Sequence, residues 1–193
     1  MIPELLSSRC SVRKFQDKPI PGEVVQSMLE AGRLSPSGGN EQPWTFGVIT
    51  DRDLIARIAE AAYAQKWMAK APLLIVLCTV CVGDERGGRD VQKDRFPEFR
   101  EAIEKMDQGL FWALNLEEHQ TKIAGTQMAL VALEQGVGSC WVTWFDVKRI
   151  AKLLNLPRNI LPSEILVLGY PEGERKVTPK KGIDEIVFHN TFG

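Results

Sequence analysis

Histidine is nearly missing from this chain, with only His119 and His189 among 193 residues. A zinc centre or a histidine-based nucleophilic triad has little to draw on, and neither histidine sits in a motif that marks it. No metal site is expected. Cysteine is limited to Cys10, Cys78, Cys81 and Cys140. Cys78 and Cys81 have CxxC spacing, but they fall in the apolar run 73–82. On a strand, residues three apart point to opposite faces. Buried packing cysteines therefore fit better than a redox or metal pair. No apolar run approaches the roughly 20 residues that span a bilayer. No charged leader with an apolar stretch opens the chain, so a cytoplasmic protein without membrane partners is expected. Neither sign of charge is in excess: 24 basic and 25 acidic residues give −1. That argues against a generic nucleic-acid binder, which would be basic overall. There is no P-loop pattern, no internal repeat and no low-complexity tract.

What is present is ordinary globular material, 44% hydrophobic and 25% charged, long enough for one domain with a sizeable core. Apolar spacing predicts helices from Pro21 through Leu34, from Asp51 through Ala62, over 118–135 ending at Gly136, and over 147–155. A short helix is expected at 3–8. Strands are expected at 44–50, 73–82, 139–145 and 164–168, with an edge strand at 185–188. The alternation suggests an α/β or α+β layer architecture. Residues 83–115 stand apart, glycine-rich and polar at first and then carrying Phe96, Phe99, Phe111 and Trp112. Such an excursion from a compact domain is often a lid.

Four polar clusters compete for the chemistry. In the extended stretch 9–13, alternate residues share a face, so Arg9, Ser11 and Arg13 point one way. Two guanidiniums around a hydroxyl suit a phosphate and a second acceptor group; the plain alternative is a solvated basic edge. In 36–44, Gly38 and Gly39 allow backbone to approach a flat ligand, and Asn40 and Gln42 add amides; the alternative is a simple turn. In 136–145, Gly136 and Gly138 begin a GxGxxG pattern that fails at Trp141. It also follows a helix instead of opening one, so a Rossmann site is rejected and Gly136 reads as a helix C-cap. Lys180 and Lys181 form a basic pair near the C-terminus, a pattern usually solvated.

Taken in order, these clusters resemble the nitroreductase family of flavin enzymes. The resemblance rests on Arg9-x-Ser11-x-Arg13-x-Phe15, on Pro36-Ser37-x-x-Asn40-x-Gln42-Pro43-Trp44 and on a helix carrying 124–128. It continues with Gly136-x-Gly138-Ser139-x-Trp141, Leu168-Gly169-Tyr170-Pro171 and Pro179-Lys180. Gln127 stands where relatives often have Asn, and Gly182 where many have a second basic residue.

The resemblance implies an α+β fold of three layers, a central mostly antiparallel sheet flanked by helices, in a homodimer with two FMN groups at the interface. It implies that Arg9 and Lys180, with Lys181, hold the FMN phosphate. Ser11 would support the ribityl chain, and Arg13 would face the pyrimidine edge where reduced flavin gathers negative charge. Gln65 would meet the pyrimidine amide edge, and Cys10 and Asn40 would line the site. Pro36, Ser37 and Gly38 would come from the partner subunit, and the backbone of Thr143 and Trp144 would approach flavin N5, which exchanges the hydride. No catalytic side chain is implied. The implied activity is NAD(P)H-dependent reduction of nitroaromatics, quinones or similar flat small-molecule acceptors by ping-pong hydride transfer, with NADH or NADPH a transient donor. The whole chain, 1–193, would be one FMN-binding domain with 83–115 as lid and Phe96 and Phe99 as its roof. The alternatives are a dehalogenase, whose branch grips its amino-acid substrate with a lid tyrosine that 83–115 lacks, a flavin-destroying branch, and a flavin carrier or sensor without turnover.

Overall fold

Strand β2 (Leu73–Val80) reads Leu-Leu-Ile-Val-Leu-Cys-Thr-Val. A strand apolar at successive positions needs cover on both faces. In the computed structural model, which describes residues 2–81, 88–114, 119–174 and 176–191, it has it. Leu74, Val76 and Cys78 enter one core, and Leu73, Ile75 and Leu77 enter the other. Strands β1 (Trp44–Ile49) and β4 (Ile160–Gly169) flank β2, and β3 (Gly138–Val142) completes the sheet. The order is β1-β2-β4-β3 with every pair antiparallel.

Helices α3 (Arg52–Ala61) and α8 (Val147–Leu153) cover the first core through Ile55, Ile58 and Ile150. Helices α2 (Gly22–Arg33) and α7 (His119–Glu134) cover the second through Met28, Met128 and Ala132. A short helix α1 (Ile2–Ser8) opens the chain. This is the three-layer α+β arrangement that the resemblance implies. The ends of the helices follow local chemistry. The Leu54 amide donates to Asp51 Oδ1 at 2.7 Å and the Arg149 amide to Asp146 Oδ1 at 2.9 Å, two N-caps that satisfy otherwise unpaired donors. At the end of α7, Gly136 takes φ 75°. Its amide meets the Leu133 carbonyl, and the Val137 amide meets that of Ala132, a Schellman closure.

Three expectations are corrected. Strand β4 starts at Ile160, ahead of the expected 164, and carries Pro162 opposite Cys78 at a register shift. Proline has no amide to give the ladder, and the irregularity absorbs that gap. Strand β3 stops at Val142: Thr143 and Trp144 leave the ladder, Phe145 turns into the first core and Asp146 caps α8. The edge strand expected at 185–188 does not form. Ile183–Glu185 is a 3-10 turn, closed by Gly182 N donating to Glu185 Oε1 at 2.6 Å and Glu185 N donating to Gly182 O at 3.1 Å. Local bonds of this kind compete with a strand ladder.

The excursion holds α4 (Arg89–Arg95), α5 (Arg100–Lys105) and α6 (Gln108–Leu114). Its glycine-rich start at 83–87 and its end at 115 lie outside the described residues, as do Val82 and Glu118 of the expected strand and helix. Buried Arg89 ties the three helices together. It donates to the Ile103 carbonyl at 2.5 Å and to Gln108 Oε1 at 2.8 Å, and lies 4.6 Å over the Phe111 ring. Among the described residues no helix is long and apolar enough to cross a membrane.

Cys78 is buried in β2, whereas half-buried Cys81 follows the strand. Burial pushes the Cys78 thiol from an ordinary 9.0 up to about 12. Between those values the unfolded chain releases the proton that the native chain keeps, so stability falls as pH rises through that window. Urea denaturation at pH 8 and pH 10 is expected to show this fall, and Cys78→Ala to flatten it; equal slopes in the two proteins would contradict the assignment.

Candidate functional site

Residues 9–15 run along the outer edge of β3. The Val12 amide donates to the Ser139 carbonyl at 3.0 Å, Ser11 pairs with Ser139 in a parallel bridge, and Phe15 pairs with Pro171. Val12 and Phe15 sink into the core between α3 and the sheet. Two glycines make room for them. A Cβ on Gly138 would stand 2.6 Å from Val12 Cγ2, and one on Gly169 would stand 2.6 Å from Phe15 Cδ1. With Val12 pointing in, its neighbours Ser11 and Arg13 are left exposed, and Arg9 is half-buried.

The strip converges on one spot. The Arg13 guanidinium lies 5.8 Å over the Trp67 ring, which packs against Phe15 at 6.5 Å. Beneath the strip lies the Cys140 thiol. Burial pushes its pKa up, while Arg13, the Ser11 hydroxyl and Arg9 are near enough to pull the other way. Neither Arg9 nor Arg13 has a carboxylate partner among the described residues. Gln65 joins from the end of α3, its Nε2 donating to the Trp144 carbonyl at 3.2 Å. The Asp146 amide bonds the Ala61 carbonyl at 2.9 Å, which holds Thr143 and Trp144 beside that helix end. Cys10 packs its sulfur against the core, which leaves only its backbone to the strip.

The second expected cluster lies elsewhere. Gly39, Asn40 and Gln42 all take positive φ, and the Gln42 amide donates to Ser37 Oγ at 3.0 Å. Helix α7 holds this loop. Gly38 N donates to Gln120 Oε1 at 2.5 Å, Ser35 Oγ to Gln127 Oε1 at 2.8 Å and Thr121 Oγ1 to the Pro43 carbonyl at 3.5 Å. Pro36, Ser37, Gly38 and Asn40 thus sit with α7, across the sheet from the strip on the α3 side. Lys180 and Lys181 lie exposed in the C-terminal stretch and make no hydrogen bond or ion pair among the described residues. Phe96 precedes and Phe99 ends the 3-10 turn between α4 and α5, both exposed, whereas Phe111 is buried against Arg89.

Of the residues grouped from the sequence, Arg9, Ser11 and Arg13 surround the Cys140 thiol, and Gln65 bonds the Trp144 carbonyl. The sequence reading missed Trp67 and Cys140 beneath the strip and Gln120 beneath the loop, each of which depends on packing between distant segments. Gln127 had a signal in its departure from the usual Asn. Among the described residues no group of three histidine, cysteine or acidic side chains could hold a metal ion.

Over residues 6–170 the chain matches the Nitroreductase family. It belongs to that family. A Thermus thermophilus relative described as NADH dehydrogenase is 29% identical over 190 residues, covering 93% of this chain and 91% of that one. An iodotyrosine deiodinase of Thermotoga neapolitana is 25% identical, covering 100% of this chain and 99% of that protein. The solved structure of an FMN-dependent nitroreductase from Clostridium difficile superposes with a TM-score of 0.75 at 23% identity, covering each chain in full. The nitroreductase fold is therefore common to both.

The strip depends on the space that Gly169 leaves. Gly169→Val would drive a side chain into Phe15 and into Pro72, whose Cδ lies 2.8 Å from the added Cβ. Overpacking of this kind destabilises by about 1–3 kcal/mol. Chemical denaturation is expected to show that loss, and limited proteolysis to show earlier cleavage within 9–15 than elsewhere.

Proposed function

We propose that this nitroreductase is a homodimeric, FMN-dependent oxidoreductase that takes reducing equivalents from NADH or NADPH and passes them to flat acceptors such as nitroaromatics and quinones. The observation that carries this reading is the pair of guanidiniums, Arg9 and Arg13, set around Ser11 on one edge with no carboxylate among the described residues to neutralise them. A phosphate ester answers that charge, and a polar heterocycle answers the second arginine and the Gln65 amide. The residues present fit FMN. Bound there, FMN supplies the two-electron carrier, and the protein supplies placement and electrostatics.

Each residue then has a task. Arg9, with Lys180 and Lys181 drawn from the C-terminal stretch, would hold the phosphate, and Ser11 the sugar-alcohol chain. Arg13, braced on Trp67, would place positive charge at the pyrimidine edge, where it favours the reduced, electron-rich ring. Gln65 bonds the Trp144 carbonyl and so fixes backbone 143–144, which would lie along the reacting edge. Residues 36–38 sit across the sheet from the strip of their own subunit. Their place would be over the flavin of a second copy. Exposed Ile183, Ile186, Val187 and Phe188 in the C-terminal stretch, and exposed Ile123 on α7, are apolar surface that a second copy would cover. Helices α4 to α6 would form the lid, with Phe96 and Phe99 as an apolar roof. With no tyrosine in the excursion, a grip on a zwitterionic iodotyrosine is less well served than one on a flat neutral ring.

Arg9→Ala should weaken FMN binding by about 1.5–3 kcal/mol, the worth of a charged hydrogen bond. Arg13→Ala should lower the flavin midpoint potential more than the affinity. Equal loss of flavin in both, with an unchanged potential in what stays bound, would defeat these roles. Flavin content, NAD(P)H bleaching and recolouring by an acceptor test the activity itself.

Sedimentation of the flavin-loaded protein is expected to show a dimer. A monomer with full flavin and full turnover would rule out the shared site.

A further inference from the structure

Past the ends of α3 and β3 lies a feature that neither the phosphate nor the flavin ring accounts for. Tyr63, just past α3, and Trp144, just past β3, bring their rings to 4.8 Å between centroids at 34°. Both rings are wet, 54% and 69% exposed. Their supports are not loose. Phe145 is buried behind Trp144, and Asp146 N is bonded to the Ala61 carbonyl. Gln65 donates to the Trp144 carbonyl itself. Tyr63 and Ala64 adopt φ 53° and 57°, two consecutive left-handed residues without a glycine. Such backbone persists only where its surroundings impose it, and it gathers at functional sites.

Two large aromatic faces, fixed from behind and open in front, suit stacking on another flat ring. The carbonyl that anchors Trp144 belongs to the backbone assigned to the reacting edge of the flavin. A ring lying over that edge would therefore have the pair at its side. We propose that Tyr63 and Trp144 form a second stacking subsite, which selects acceptors with two fused aromatic or quinonoid rings over acceptors with one. This rests on the proposed function for the position of the first ring; the existence of the subsite rests on the pair itself.

The test compares kcat/KM for 2-methyl-1,4-naphthoquinone and 1,4-benzoquinone in the FMN-loaded protein with NADH as donor. Taking the ratio within each variant cancels differences in flavin content. Tyr63→Leu and Trp144→Leu should each reduce the two-ring preference about three- to tenfold, the range expected for one aromatic contact. Tyr63→Phe and Trp144→Phe should keep most of it. Calorimetric binding of 2-naphthol against phenol, neither of which turns over, should show the same preference and the same loss. An unchanged ratio and unchanged naphthol binding in both leucine variants would overturn the proposal. So would a preference lost as fully in the phenylalanine variants, because stacking would not then be its cause. Conversion of either leucine variant from dimer to monomer with the ratio intact would also overturn it, by assigning the rings to a contact between copies. If neither quinone is reduced, the proposed function fails, and the naphthol and phenol measurement still decides the subsite.

Discussion

The bond from the Val12 amide to the Ser139 carbonyl fixes how residues 9–15 lie on β3. Because side chains on an extended segment alternate, a slip of one residue would carry Arg13 toward the core and Val12 into water. The slip is opposed by shape. Val12 and Phe15 fill hollows left by Gly138 and Gly169, where an added Cβ would come within 2.6 Å of either side chain. The electrostatics of the site are thus set by apolar packing. Two guanidiniums with no carboxylate partner among the described residues can stand on one edge because the residues between and beyond them are held.

On the other face of the sheet, helix α7 does similar work with polar groups. Gln120 and Gln127 grip the loop at 35–38, and Thr121 joins Thr79 and Ser163 in a chain of hydroxyls with contacts of 2.9 and 2.6 Å. Lys122 reaches the buried Glu164 carboxylate at 3.1 Å. Desolvating a charge pair is expensive, so the gain in net stability from such a bridge is small. What it adds is position, since hydrogen bonds and ion pairs fix the helix along and around its axis more narrowly than apolar contact does. The loop inherits that placement.

Much of the frame could be read from local chemistry. Asp51 and Asp146 cap helices through bonds spanning three residues, and Gly136 ends α7 through its own φ. Strand β2 announced itself as doubly buried by composition. Where distant partners decide, the reading lost precision. The length of β4 depends on a bulge opposite Pro162, and the end of β3 depends on Phe145 finding the first core. The edge strand expected at 185–188 met a competing local closure by Glu185. Within the site, alternation alone grouped Arg9, Ser11 and Arg13. The bond from Gly38 to Gln120 spans 82 residues and left no local trace.

The Arg89 clip bears on how this protein could change over evolutionary time. One guanidinium holds a carbonyl of α5, an amide of α6 and the ring of Phe111. While that knot stays intact, the outward residues of α4 to α6 can vary without loosening the three helices from one another. In the lid role proposed above, these helices would let new acceptor preferences arise by drift on their outer faces, while the sheet and the strip at 9–15 stay untouched. Loss of the single arginine would put the whole cassette at risk at once.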